Sequence, residues 1–215
     1  MSQFNAQTQG LLYWQRSDQF EIKVEQDERL RSLSINGQRQ SQLDLLAPCR
    51  PVYPYVQQIL LYLRQFNCQR ILQIGLGAGE INRAVLDQLP SAVITTIEKD
   101  PIVISLYLQF FQMPAFKTRE IILPLTDLPS AHTLAPLDAL IVDIYPWPPA
   151  FASFVEPWLK LLAPSGILLM NVSDPTQQQA VKEWCQQHFN KFAITTDTGY
   201  LNHLFCCSQA MPCRD

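Results

Sequence analysis

Hydrophobic and polar positions change rhythm near residue 50. Between residues 18 and 42, Phe20, Ile22 and Val24 alternate with polar neighbours, the period of a half-buried strand. The polar stretch Glu25–Glu28 reads as a turn. A second strand runs through Leu33 and Ile35 and ends at Asn36-Gly37, a strong turn dipeptide. The pattern predicts a small N-terminal β-hairpin unit over residues 1–47, after which Pro48 and Pro51 punctuate the chain.

From residue 52 strands and helices alternate. A helix from Pro54 to Phe66 places Val56, Ile59, Leu60 and Leu63 on one face. Strand Arg70–Ile74, helix Ile81–Leu89 and strand Ala92–Ile97 follow. Pro101 opens the next helix, where its missing N–H costs nothing, and that helix ends near Met113. Then come strands Glu120–Leu125 and Ala139–Val142, helix Ala150–Leu162, a turn at Pro164-Ser165-Gly166, strand Ile167–Val172 and helix Pro175–Phe189. Two last strands, Phe192–Thr196 and His203–Cys207, are separated only by a turn at Thr198-Gly199, so they can pair antiparallel. Strand–helix alternation implies right-handed crossovers and a parallel sheet covered on both faces. The expected α/β fold is a Rossmann-like, seven-stranded sheet of the kind found in methyltransferase domains, over residues 48–215, with the small β-hairpin unit before it.

Composition trims the range of functions. The 215 residues are 47% hydrophobic with a formal net charge of -3, enough for a core and without the basic field that nucleic acid or an anionic membrane would attract. No apolar run approaches the roughly 20 residues of a membrane span. Met1–Gly10 is polar and lacks an export signal, which makes a cytoplasmic location the expectation. The six cysteines are irregularly spaced and form no C-x-x-C pair, so reduced thiols are expected. Cys206, Cys207 and Cys213 with His203 fit no zinc spacing, and Leu204–Cys207 reads as a buried strand, so no metal is expected.

The chemistry gathers at strand ends. Ile74-Gly75-Leu76-Gly77-Ala78-Gly79-Glu80 is strand, glycine-rich turn and helix start; three of the seven glycines stand there. Such a turn, with free N–H groups beyond it, suits a polar ligand, although a tight strand–helix turn without any ligand needs the same glycines. Glu98 lies at the end of the next strand, 19 residues beyond Gly79, where a carboxylate can accept from ribose hydroxyls; charging the following helix is the plainer role for Glu98 and Asp100. Position 80 is Glu80, not the last glycine of a dinucleotide fingerprint, which favours a nucleoside without phosphates. The third strand delivers Asp127, a candidate partner for an adenine amino group or simply a loop-starting aspartate. The fourth delivers Asp143 from four apolar residues, a candidate base or amine anchor. Tyr145 and Trp147 follow among prolines as a candidate aromatic wall, suited to a sulfonium or ammonium group and equally to packing.

Taken together, these motifs resemble the spermidine synthase family of polyamine aminopropyltransferases. The likeness covers residues 18–175. It includes Ser34-Ile35-Asn36-Gly37-Gln38-Arg39-Gln40-Ser41, similar to the family's L-D-G-x-x-Q-S/T, then the glycine loop, Ile97-Glu98-Lys99-Asp100, and Leu137-Asp138-Ala139-Leu140-Ile141-Val142-Asp143. The resemblance implies that Gln40 and Glu98 contact the nucleoside, Tyr53 the polyamine, and that Asp143 is the base. It implies a transferase using S-adenosylmethionine or its decarboxylated form as co-substrate, with an amine as acceptor. Three departures change that expectation. Ala78 stands where the family carries an aspartate, Tyr53-Pro54-Tyr55 lacks the family's glutamate, and Asp143-Ile144-Tyr145-Pro146 lacks its second aspartate. Losing three carboxylates weakens a dication by several kcal/mol at about 1.5–3 per charged contact. An S-adenosylmethionine-dependent methyltransferase and a non-catalytic binding module on the same fold are the alternatives. The hairpin's edges could pair two copies as a homodimer.

Overall fold

The computed structural model describes residues 9–18, 20–127, 134, 136–196 and 200–208. An N-terminal antiparallel sheet has the order β1-β2-β3-β4, formed by β1 (Gly10–Arg16), β2 (Glu21–Gln26), β3 (Leu30–Ile35) and β4 (Gln38–Asp44). The expected hairpin is its β2–β3 centre. Asn36-Gly37 turns the chain into β4, with both residues at positive φ, 49° and 75°, and Ile35 paired with Gln38. Sequence reading missed β4 because Gln-Arg-Gln-Ser-Gln carries no alternation of apolar residues. It missed β1, which holds its place by pairing with β2.

The second sheet runs β10-β11-β9-β8-β5-β6-β7. Its strands are β5 (Arg70–Ile74), β6 (Val93–Glu98), β7 (Glu120–Pro124), β8 (Leu137–Val142), β9 (Leu162–Val172), β10 (Lys191–Thr196) and β11 (His203–Ser208). The first five are parallel, and β11 and β10 add antiparallel as expected. The helices are α1 (Pro54–Gln65), α2 (Glu80–Gln88), α3 (Pro101–Phe110), α4 (Phe151–Leu159) and α5 (Pro175–His188). The expected turn at Pro164-Ser165-Gly166 is instead an excursion inside β9: Leu137 pairs with Leu162 and Ala139 already with Ile167. The turn at Thr198-Gly199 lies outside the described residues.

The α/β expectation of a seven-stranded, Rossmann-like sheet therefore holds, with a four-stranded sheet in place of a hairpin before it. Alternate strand residues enter two cores. Ile71, Ala139, Ile141, Ile167 and Leu169 pack under α1 and α2, whereas Leu72, Leu140, Val142, Leu168 and Met170 pack with α4 and α5. A third core joins the two sheets: Leu76 and Ala78 of the glycine loop bury themselves with Ile22, Val24, Leu33, Leu43 and Leu45 and with α3. No helix among the described residues is long and apolar enough to cross a membrane. Cys49, Cys68, Cys185, Cys206 and Cys207 are free thiols, and Cys213 lies outside the described residues.

Candidate active site

Strand order reverses between β5 and β8, and ligands of open α/β sheets bind at the strand carboxyl ends near such a point. The glycine loop leaves β5 here. Gly75, Gly77 and Gly79 all have positive φ, of 94°, 53° and 67°. Packing explains two of them. A Cβ on Gly75 would lie 1.9 Å from the Asp143 carbonyl oxygen, and one on Gly79 would lie 2.1 Å from the Tyr107 ring. At Gly77 the same atom would stand 3.4 Å from Ser41, so that position has room, and its positive φ is what asks for glycine. Gly75 and Gly77 remain partly exposed while Leu76 and Ala78 face inward.

Glu98 ends β6 nearly buried. Its carboxylate accepts from the Leu76 amide at 2.9 Å and the Asp100 amide at 3.0 Å. It thus braces the glycine loop, and Asp100 caps α3 by accepting from the Ile102 amide. Gln40 is the extra residue of a bulge in β4, since Leu33 pairs with Ser41 and Ser34 with Arg39. A bulge re-aims a side chain; Gln40 is half-buried, and its amide nitrogen donates to the Gln38 carbonyl at 3.3 Å. The next residue, Ser41, faces Gly77. Asp127 sits beyond β7, exposed in a single 3-10 turn, and accepts from the Thr126 hydroxyl at 3.1 Å.

Asp143 follows β8, half-buried. Its Oδ2 accepts from the Tyr55 hydroxyl at 2.9 Å and its Oδ1 from the Asn171 amide at 2.8 Å. Burial raises its pKa, and the Asn171 and Tyr55 hydrogen bonds pull it down. Asn171, on β9, in turn accepts from Asn202 at 3.0 Å, and its carbonyl accepts from the Trp147 indole at 2.8 Å. Tyr53, Tyr55 and Tyr200 form an aromatic corner beside this network: the Tyr53 ring lies 6.1 Å from Tyr55 and 6.2 Å from Tyr200. Burial pushes the Tyr53 phenol up to about 12 and the Tyr55 phenol well up.

The aromatic wall expected after Asp143 divides. Tyr145 is 52% exposed, whereas Trp147 turns into the core at 4% and meets Phe151 edge-on. Tyr145-Pro146 is a cis peptide. The structure brings Asp143, Gly75 and Tyr53 to one edge; Gln40 and Glu98 flank the loop, and Asp127 lies two strands away from β5. The sequence reading passed over Asn171, Asn202 and Tyr200. Asn171 had a signal, a lone amide within Leu168-Leu169-Met170-Asn171-Val172, while the loop residues Tyr200 and Asn202 had none. Two surface hollows, of about 280 and 320 Å³, lie elsewhere, around Arg16–Glu21 and around Ala47–Arg50 with Asp87. The half-buried carboxylate, its amide and phenol partners and the glycine loop make the sheet edge the candidate site instead.

No protein-family model matches the chain. A polyamine aminopropyltransferase of Chromobacterium violaceum is 33% identical over 96 residues, 44% of this chain and 37% of that protein. Over that stretch the chain is similar in sequence to the spermidine synthase family of aminopropyltransferases. The sequence match spans little more than a third of that aminopropyltransferase. The fold extends the likeness. A probable spermidine synthase of Corynebacterium glutamicum superposes with a TM-score of 0.74 at 22% identity, covering 94% of this chain and 81% of that one. The spermidine synthase of Thermotoga maritima gives 0.68 at 18%, covering 94% and 74%. Human methyltransferase-like protein 13, solved in complex with SAH, gives 0.59 at 19%, covering 74% and 83%.

Proposed function

We propose that this spermidine synthase relative is a transferase that takes S-adenosylmethionine or its decarboxylated form and alkylates an amine held by Asp143. One observation carries the reading: a half-buried carboxylate, oriented by Tyr55 and Asn171, touches the glycine loop through its own backbone at Gly75. A nucleoside lying over Gly75 and Gly77 therefore places its reactive carbon beside Asp143. Glu98, at the end of β6, is set near the ribose, and its two oxygens keep lone pairs beyond those that hold Leu76 and Asp100. In the reaction the amine lone pair forms a bond to the carbon next to sulfur, the C–S bond breaks, and its electrons neutralise the sulfonium. Asp143 accepts the proton that the amine loses.

The acceptor reading is narrower than the family's. Asp143 meets two neutral donors, and the corner around it is built from tyrosine rings. Tyr55 stands where the family carries a carboxylate. Such a corner suits a singly charged amine whose remaining body is apolar or aromatic better than a dication.

Calorimetric titration with S-adenosylmethionine, decarboxylated S-adenosylmethionine and methylthioadenosine tests the co-substrate, followed by turnover with putrescine and with an arylalkyl monoamine. Binding, and turnover of the monoamine over putrescine, is the expected result. Asp143→Asn is expected to lower turnover by about 100-fold or more with little change in nucleoside affinity. Absence of binding to all three nucleosides defeats the reading. It favours a non-catalytic module instead, for which the burial of Leu76 and Ala78 in the inter-sheet core already speaks.

A further inference from the structure

We infer that Glu80 is a positioning residue of this site, its buried carboxylate fixing the segment that carries Tyr53 and Tyr55 against Asp143. Glu80 is the first residue of α2, directly after Gly79, so its backbone moves with the glycine loop. One oxygen accepts from two consecutive amides, Val52 at 2.6 Å and Tyr53 at 2.7 Å. Tyr53 is the residue that opens α1, and Pro54 follows it. That helix has no side-chain cap of its own and no acidic residue in its first turn. Glu80 supplies from a different helix the negative charge and the acceptor that the start of α1 lacks. Two residues into α1, Tyr55 donates to Asp143. The path is continuous: glycine loop, Glu80, the Val52-Tyr53 amides, Tyr55, Asp143.

Arg83, on the same helix, holds the other end of this connection. Its guanidinium donates to the carbonyls of Pro48, Gln42, Phe111 and Ala78. The groups that act on Glu80 and its partners are Arg83 from α2, Asp143 after β8, Tyr55 from α1, Tyr53 and the Val52 amide just before that helix, Tyr200, and the Gln42 amide and Arg39 from β4. Glu80 is 5% exposed and its second oxygen, also buried, has no hydrogen-bond partner. A carboxylate in that position costs stability, and burial pushes it up to about 7 against the opposing pull of the Tyr53 amide and Arg83. What the carboxylate does in return is hold the entrance to the site through the Val52 and Tyr53 amides.

The consequence for ligand binding rests on the proposed function; the clamp itself does not, and the test separates them. In the full-length protein, amide exchange protection at Val52 and Tyr53 is measured for wild type, Glu80→Ala and Glu80→Gln. Methylthioadenosine affinity is measured from about pH 5.5 to 8.5. In Glu80→Ala, protection at both amides is expected to fall about tenfold or more while β5 stays protected, and affinity to fall about tenfold. Glu80→Gln keeps an acceptor without the charge: protection is expected to be retained, and the rise in affinity expected of wild type around pH 7 to be flattened. Unchanged protection in the alanine variant, or a pH dependence that survives in the glutamine variant, overturns the assignment. A wild type that binds no methylthioadenosine overturns the nucleoside reading and leaves the exchange data to decide the clamp.

Discussion

Single residues at this sheet edge are fixed by different forces, and substitutions separate them. Gly79 combines positive φ with a Tyr107 ring only 2.1 Å from any added Cβ, whereas Gly37 has positive φ and open space. Gly79→Ala is expected to cost about 2–5 kcal/mol, strain and overpacking together, and Gly37→Ala about 1–2. Urea unfolding of the two variants checks the ranking. Glu80 gives a pH-dependent counterpart. Its pKa is raised from 4.5 to about 7 in the folded chain, so the native state holds more protons than the unfolded state between those values. Stability on this account is full below about pH 4.5 and is lost as pH rises toward 7. Glu80→Gln removes the loss: relative to wild type, the variant is expected to gain about 2–3 kcal/mol between pH 5 and pH 8, measured by urea unfolding at each pH.

At the scale of elements, α2 is the hub. Its first residue clamps the start of α1, and Arg83 reaches β4, the Pro48 connection, the glycine loop and the end of α3. The guanidinium is almost wholly buried and is satisfied by carbonyl oxygens. Arg83→Met leaves those four carbonyls without a donor, at about 1 kcal/mol each where water cannot reach them. The expected result is a loss of about 3–5 kcal/mol, with β4 losing amide exchange protection before β5 does. Behind the loop, Glu120 gathers Asn82 at 3.0 Å, Gln112 at 2.9 Å and the Tyr107 hydroxyl, which holds the ring that packs on Gly79. The helix pattern in the sequence located α2 but carried no sign of these reaches. Arg83 and Glu80 are spaced as ordinary polar positions, and their burial follows only from what packs over them.

At the scale of the molecule, the two sheets share a core rather than a linker. Leu76 and Ala78 come from the loop after β5, and Ile22, Val24, Leu33, Leu43 and Leu45 from the N-terminal sheet. Exchange free energies of the slowest amides in β2–β3 and in β5–β8 are therefore expected to converge on one global value, and Leu43→Ala to lower both by about 2–5 kcal/mol. Independent values for the two sheets would contradict this coupling.

Much of this architecture was legible in one chain. The strand–helix alternation from residue 52, the seven strands, the glycine loop, Glu98 and Asp143 follow from local periodicity and from residue types that strand ends require. Local periodicity is strong where one face of each element is buried, as in β5, β8 and α1. It fails where burial is imposed from outside: apart from Leu43, β4 is polar, yet Ser41, Gln42 and Asp44 are buried, with Gly77 against Ser41, Ser32 bonded to Gln42 and Arg29 bonded to Asp44. The same holds for the site. Which carboxylate stands at a strand end is a matter of sequence. That Asp143 meets Tyr55 from 88 residues upstream and Asn171 from 28 downstream is a matter of sheet order, which brings β8, β9 and α1 to one edge. Periodicity determines the elements because each must bury a face; the tertiary structure alone decides the partners, because only packing sets which faces meet.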